Sequence, residues 1–195
     1  MGLNWEFTGG ETHLDPDEIE GLRIPFITTR AELDEHEQAN IQRARIWLNK
    51  RRTKPAGLLT DPFVKRLHKE MYDEVWKWAG QFRKTEKNLG VDPVRIATDL
   101  RQLLDDARFW VENKTYEPDE LAIRVKHRMV SIHCFSNGNG RHSRLFADLL
   151  IVAIGAPLFT WGAYTKMPDV RERYFEALRK ADRGDMKPLI AFARS

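Results

Sequence analysis

The sequence predicts a mainly α protein, a bundle of helices interrupted by one short β-hairpin. Three observations carry this. Apolar residues recur every three or four positions through most of the 195-residue chain, and helix starts are marked by capping residues and first-turn prolines. Only residues 82–91 both lack that period and contain a turn-forming stretch, Asn88 to Gly90.

The elements follow in order. Residues 1–28 carry Gly9-Gly10, Pro16, Gly21 and Pro25 without sustained periodicity and read as an irregular arm. Thr29 with Glu32 three residues on has the pattern of a capping box, opening a helix to about Arg51 with Leu33, Ile41, Ala44 and Leu48 inward. Asp61-Pro62 supplies an N-cap and first-turn proline for a second helix carrying Leu67, Met71, Val75 and Trp78. Asp92-Pro93 repeats the device before Ile96, Leu100, Leu103, Leu104, Ala107, Trp110 and Val111. Pro118 opens a fourth helix, whose stripe of Leu121, Val125, Met129 and Ile132 leads directly to His133. After Arg141 the run Leu145, Phe146, Leu149, Leu150, Val152 and Ala153 is apolar nearly all round, the mark of the most buried helix of a bundle. Gly155 and Pro157 end it, and two shorter helices follow near Asp169 to Ala181 and Asp185 to Ala193.

Composition narrows the function classes. With 42% hydrophobic and 31% charged residues the chain suits one globular domain, residues 29–195 behind the arm, rather than a disordered protein. A net charge of +3 hints only weakly at an anionic partner. One cysteine, Cys134, fits a reducing compartment, and the absence of a long apolar run gives no support for export or a membrane partner.

The chemistry concentrates in His133-Cys134-Phe135-Ser136-Asn137-Gly138-Asn139-Gly140-Arg141-His142-Ser143-Arg144. Gly138 and Gly140 let backbone N–H groups converge without a Cβ in the way, and the following helix adds the positive end of its dipole. Arg141 and Arg144, three apart, share a helix face and can grip successive phosphates. His133 stands just outside the turn, placed to take a proton from a group attacking the bound phosphate. The same residues admit blander readings singly: a core histidine, an Asn-Gly turn, a solvated arginine face. Their joint spacing is what favours a site. A zinc quartet of His127, His133, Cys134 and His142 matches no standard ligand spacing, and Lys50-Arg51-Arg52-Thr53-Lys54 reads as a solvated helix end.

The segment resembles the Fic/DOC family motif, His-x-Phe-x-(Asp/Glu)-Gly-Asn-(Gly/Lys)-Arg-x-x-Arg, with Asn137 at the acidic position and Cys134 where proline is frequent. Trp78-Ala79-Gly80-Gln81-Phe82-Arg83 is similar to the family's Trp-Ala-Gly-x-x-Arg segment, and Tyr174 through Phe192 to its C-terminal helices. The likeness covers about Asp61 to Phe192, the expected core; before that it is looser and resembles the Fic proteins called mobile mystery protein B. The resemblance implies a Fic-fold helical bundle with a β-hairpin flap, Thr85, Glu86, Lys87, Asn88, Leu89, Gly90 and Val91, that docks an extended piece of a target. It also implies protein adenylylation: AMP passes from ATP to a Ser, Thr or Tyr hydroxyl of a target protein, with His133 as base. The N–H groups of Gly138, Asn139 and Gly140 would hold the α-phosphate, and Arg141 and Arg144 the departing phosphates. Glycine at 140 favours nucleotidyl transfer over the kinase chemistry of Doc-like members, which have lysine there. Mg2+ would bind weakly through Asn137, whose amide oxygen carries no charge.

On this reading the protein is a cytoplasmic enzyme acting as a toxin, with a separate antitoxin-like regulator and neither membrane nor nucleic acid among its partners. The family's self-inhibiting (Ser/Thr)-x-x-x-Glu-(Gly/Asn) pattern has its nearest match at Thr28 to Glu32, where capping already accounts for Glu32. Two alternatives stand beside this: a nucleotide-binding regulator whose catalysis is weakened or lost through Asn137, and a basic helical DNA-binding protein.

Overall fold

The computed structural model describes residues 16–50, 53–163 and 169–195. The expectations for Gly9-Gly10, Arg51 and Arg52 lie outside the described residues. Nine α-helices are found among them: α1 (Pro16–Ile19), α2 (Arg30–Asn49), α3 (Pro55–Leu58), α4 (Asp61–Tyr72), α5 (Ile96–Asn113), α6 (Pro118–Ile132), α7 (Asn139–Ala153), α8 (Val170–Asp182) and α9 (Lys187–Ala193).

Local chemistry explains where they begin. Thr29 Oγ1 accepts from the Glu32 amide at 3.2 Å and Glu32 Oε2 accepts from the Thr29 amide at 2.9 Å, the reciprocal pair expected at the start of α2. At α4 the cap is Thr60 rather than Asp61: its hydroxyl accepts from the Phe63 amide at 3.3 Å, and Asp61 becomes the first helical residue. That helix ends at Tyr72, so Val75 and Trp78 lie beyond it. Asp92 accepts from the Val94 amide at 2.9 Å and caps a 3-10 turn, Pro93–Arg95, that leads into α5.

The hairpin formed by α6 and α7 is the centre of the molecule. One core gathers α2, α4 and α5 against it, with Leu33, Leu67, Met71, Leu100, Phe146 and Leu150 buried there. A second core on its other side holds Ala122, Ile123, Ala147 and Ile151 against Ala177, Ala181, Leu189 and Phe192 of α8 and α9. Two cores on opposite sides account for the nearly all-round apolar surface of α7, of which Val152 alone turns to solvent, 55% exposed.

The expected β-hairpin does not form. Residues 82–92 contain no strand, and the β pairing among the described residues is one isolated bridge, Leu22 to Trp76. The reason lies in where the backbone donors go. The Arg83 amide donates to the Cys134 carbonyl at 3.0 Å and the Val91 amide to the Ile132 carbonyl at 3.3 Å, so both arms bond to the segment around His133 instead of to each other. The described part of the arm is also better ordered than its composition suggests. Bonds from Arg23 N to Val75 O and from Lys77 N to Gly21 O, both 2.8 Å, stitch it to the chain after α4.

Candidate functional site

His133 closes α6 with its amide bonded to the Met129 carbonyl at 3.1 Å, in left-handed conformation with φ 57° and ψ 61°. That cap turns the chain out of the helix and points the following loop back toward α7. The loop is held from inside by three buried side chains. Asn139 clasps it, Nδ2 donating to the Phe135 carbonyl at 2.7 Å while Oδ1 accepts from the Phe135 amide at 2.9 Å. His68 of α4 receives the Gly80 amide on Nδ1 at 3.0 Å, so Nε2 carries the proton and donates to the Asn137 carbonyl at 3.1 Å. Its ring stacks on Phe135 with centroids 3.7 Å apart. His142 bonds the Val64 carbonyl at 3.0 Å.

Gly138, at φ 76°, caps α7, and the first intrahelical bond runs from the His142 amide to its carbonyl at 2.9 Å. The amides of Asn139, Gly140 and Arg141 precede that bond and are the orphan donors of the helix start. A Cβ on Gly138 would stand 2.5 Å from the Tyr72 hydroxyl oxygen, whereas one on Gly140 would meet nothing within 4 Å. The cradle is therefore packed tightly beneath and open above, and Gly140, Arg141 and Arg144 form its partly exposed rim. Its donors, helix dipole and arginines suit an anion.

The two arginines are not equivalent. Arg141 pairs with Glu37, a residue of α2 buried to 0%. The same carboxylate accepts from Trp76 Nε1 at 2.7 Å and Asn137 Nδ2 at 3.0 Å. Burial works against the Arg141 charge, but Tyr72 and Glu37 outweigh it and hold the guanidinium firmly protonated. Arg144 lies over the Tyr174 ring at 5.4 Å and donates to the Gly140 carbonyl at 3.4 Å, and no carboxylate among the described residues pairs with it.

His133 is 5% exposed, and burial pushes its imidazole down to about 4, with the positive charges of Arg83 and Lys87 acting in the same direction and a bond to the Val130 carbonyl opposing them. At neutral pH the ring is uncharged and able to accept a proton. The flap lies directly on it. A Cβ on Gly90, at φ 105°, would come within 2.5 Å of His133 Cβ and 2.7 Å of Arg83 Nη2. Gly90→Ala is accordingly expected to displace the flap and lower stability by about 1–3 kcal/mol, measured by urea unfolding.

The structure thus brings His133, Asn137, Gly138, Asn139, Gly140 and Arg141 onto one loop and helix start, with Arg144 one turn on and flap residue Gly90 against His133. Within the rest of the flap, Thr85, Glu86, Asn88 and Leu89 face solvent, while Lys87 turns inward to an ion pair with Glu18 of α1. Four site residues escaped the sequence reading: Glu37, His68, Tyr72 and the clasping role of Arg83. Glu37 had a signal, since it falls four residues after Leu33 and four before Ile41 on the inward stripe of α2. Glu32, the candidate for self-inhibition, is exposed and occupied by capping. The zinc quartet is not assembled: His127 bonds Asp182 at 2.7 Å and His142 bonds Val64, and among the described residues no three His, Cys, Asp or Glu side chains could hold a metal. Nor is any helix among them long and apolar enough to cross a membrane.

Comparison with known proteins agrees with this geometry. The model of the Fic/DOC family matches residues 58–151. Over 116 residues the chain is 29% identical to the protein adenylyltransferase Fic of Aedes aegypti, a match covering 58% of this chain and 22% of that protein. The chain spans only about a fifth to a quarter of the length of such curated relatives. Among solved structures, the N-terminal Fic domain of the Bep8 effector from Bartonella sp. 1-1C superposes with a TM-score of 0.69 at 17% identity, covering 94% of this chain and 96% of that one. A Bartonella quintana Fic domain with bound ADP gives 0.68 at 19% identity, covering 87% and 86%.

Proposed function

The chain carries a Fic/DOC-family domain over residues 58–151, and from that premise we propose that it is a protein adenylyltransferase. The observation that carries the reading is the open anion cradle of Asn139, Gly140 and Arg141 at the α7 N-terminus, with an uncharged His133 at the other end of the same loop. In the proposed reaction His133 takes the proton from a Ser, Thr or Tyr hydroxyl of a target protein as its oxygen bonds to the α-phosphorus of ATP. The bond from that phosphorus to the bridging oxygen breaks, and pyrophosphate leaves. The α7 amides and Arg144 meet the charge that builds on phosphate oxygens, as fixed donors that need little reorganisation. The open space above Gly140 supports nucleotidyl transfer, because a long side chain there would enter the cradle. The single buried cysteine suits a cytoplasmic setting, and the toxin role and a separate antitoxin belong to the same proposal.

Magnesium fits this site poorly. Asn137 offers one neutral amide oxygen, and Glu37, the nearby carboxylate, is already bonded to Arg141, Trp76 and Asn137. No step is routed through the metal.

The test is transfer of label from ATP to protein, with His133→Ala as the control. Loss of a proton acceptor is expected to cut transfer by about 10²–10⁴-fold; equal labelling by the two proteins would overturn the reading. One observation favours a second reading, a nucleotide-binding regulator with weak catalysis: Glu37 already occupies Arg141. That reading expects ATP binding by calorimetry that His133→Ala leaves unchanged, and no transfer by either protein.

A further inference from the structure

We propose that Arg83 is a positioning residue that ties the flap to the motif histidine, so that the flap and the backbone of His133 open and close as one unit. The guanidinium, in a residue only 3% exposed, bonds to both partners at once. Nε donates to the carbonyl of His133 itself at 2.7 Å. Nη1 donates to the Thr85 carbonyl at 2.8 Å on one arm of the flap, and Nη2 to the Val91 carbonyl on the other, with a longer contact to Ile132 O at 3.5 Å. The Arg83 amide adds the bond to Cys134 already described. A planar fork with five N–H donors can satisfy so many diverging carbonyls; a lysine ammonium cannot span them.

The arrangement explains why no hairpin is needed. The two arms of the flap are joined through a side chain, leaving their backbones free of a ladder. It also links flap position to the character of His133. The charged groups facing the imidazole are Arg83 and Lys87, the latter paired with Glu18 of α1, and both come from the flap side. Lifting the flap removes their charge and admits water together, returning His133 toward an ordinary, stronger base. Docking of a target segment on the flap and the strength of the base would then be one event.

The inference draws its meaning from the transferase reading, but its test needs no catalysis. Imidazole NMR titration between pH 5 and 8 and amide hydrogen exchange are measured on the whole chain and on Arg83→Gln and Arg83→Lys, each shown to melt cooperatively. The unsubstituted His133 is expected to stay uncharged across the range. In Arg83→Gln its midpoint is expected to rise into the window, near about 6. In Arg83→Lys the Val91 amide is expected to exchange at least about tenfold faster, because the fork is gone although the charge remains. A purely structural role would speed exchange generally without moving the His133 midpoint relative to the core histidines His68 and His142. A His133 that stays uncharged in folded Arg83→Gln, or Val91 protection unchanged in Arg83→Lys, overturns the proposal. Should Arg83→Gln fail to fold, the Val91 result in Arg83→Lys decides.

Discussion

Asn137→Asp is expected to destabilise the protein by about 2–4 kcal/mol at pH 8, and Glu37→Gln in the same chain is expected to recover most of that loss. In the native site the Asn137 amide donates to Glu37 Oε1 at 3.0 Å, an arrangement only a donor at 137 can make. An aspartate there sets a second carboxylate against a carboxylate that is fully buried. Arg141 can neutralise one of them, and the other must take up a proton or leave the site. The defect should therefore shrink as pH falls from 8 to 5, where the two groups can share a proton. With Gln at 37 an amide donor again faces an acceptor, the two having changed places, and the introduced carboxylate inherits Arg141. Denaturant unfolding of the four proteins in a double-mutant cycle measures the coupling. A stable Asn137→Asp single variant, or a double variant no better than it, would show that the two positions are independent. The simple expectation that an acidic residue at 137 alone improves metal binding is thereby revised: the improvement should appear in the double variant, as a Mg2+-dependent rise in melting temperature, because only there is the new carboxylate free of a like charge.

That coupling also shows where the sequence stopped being legible. Helix order, most helix starts and the two-sided burial of α7 followed from apolar spacing and capping residues, which act within a few positions along the chain. The motif likewise lay open, because its glycines, histidine and arginines are contiguous. What stayed hidden were partnerships across the fold. Glu37 and Asn137 are 100 residues apart, His68 and Asn137 69 apart, and Arg83 and His133 50 apart. Each is a polar residue satisfied only by a distant backbone or side chain, and no local period reports such a partner. Periodicity could have flagged Glu37 and His68 as polar residues on inward stripes, but not what they would meet. The flap failed for a related reason: its backbone donors pair with the segment around His133, a competition invisible in residues 82–91 alone.

Acid is expected to unfold this protein well before its surface carboxylates require it. His68, His133 and His142 are all held uncharged in the folded state: burial pushes His133 and His142 down to about 4 and His68 well below its ordinary value. Unfolded, each would titrate near 6.5, so the unfolded chain binds more protons between about pH 6.5 and 4. Their contribution is complete above pH 6.5 and is lost as pH falls through that window, roughly 3 kcal/mol each for His133 and His142. Asp148 works the other way. Burial raises it to about 6, despite the bond from Trp161 Nε1 at 2.8 Å, so its protonation favours the folded state as pH drops and offsets about one histidine. The net effect remains a loss of several kcal/mol, most of the stability of an ordinary domain. Urea unfolding at pH 8, 7, 6, 5 and 4.5 should show a plateau above 7 and a steep fall below 6.5. His142→Gln isolates one contribution, since an amide can still donate to the Val64 carbonyl but cannot take a proton. Its fall between pH 6.5 and 4.5 should be shallower than that of the unsubstituted protein; parallel profiles would mean that His142 is not the group being charged.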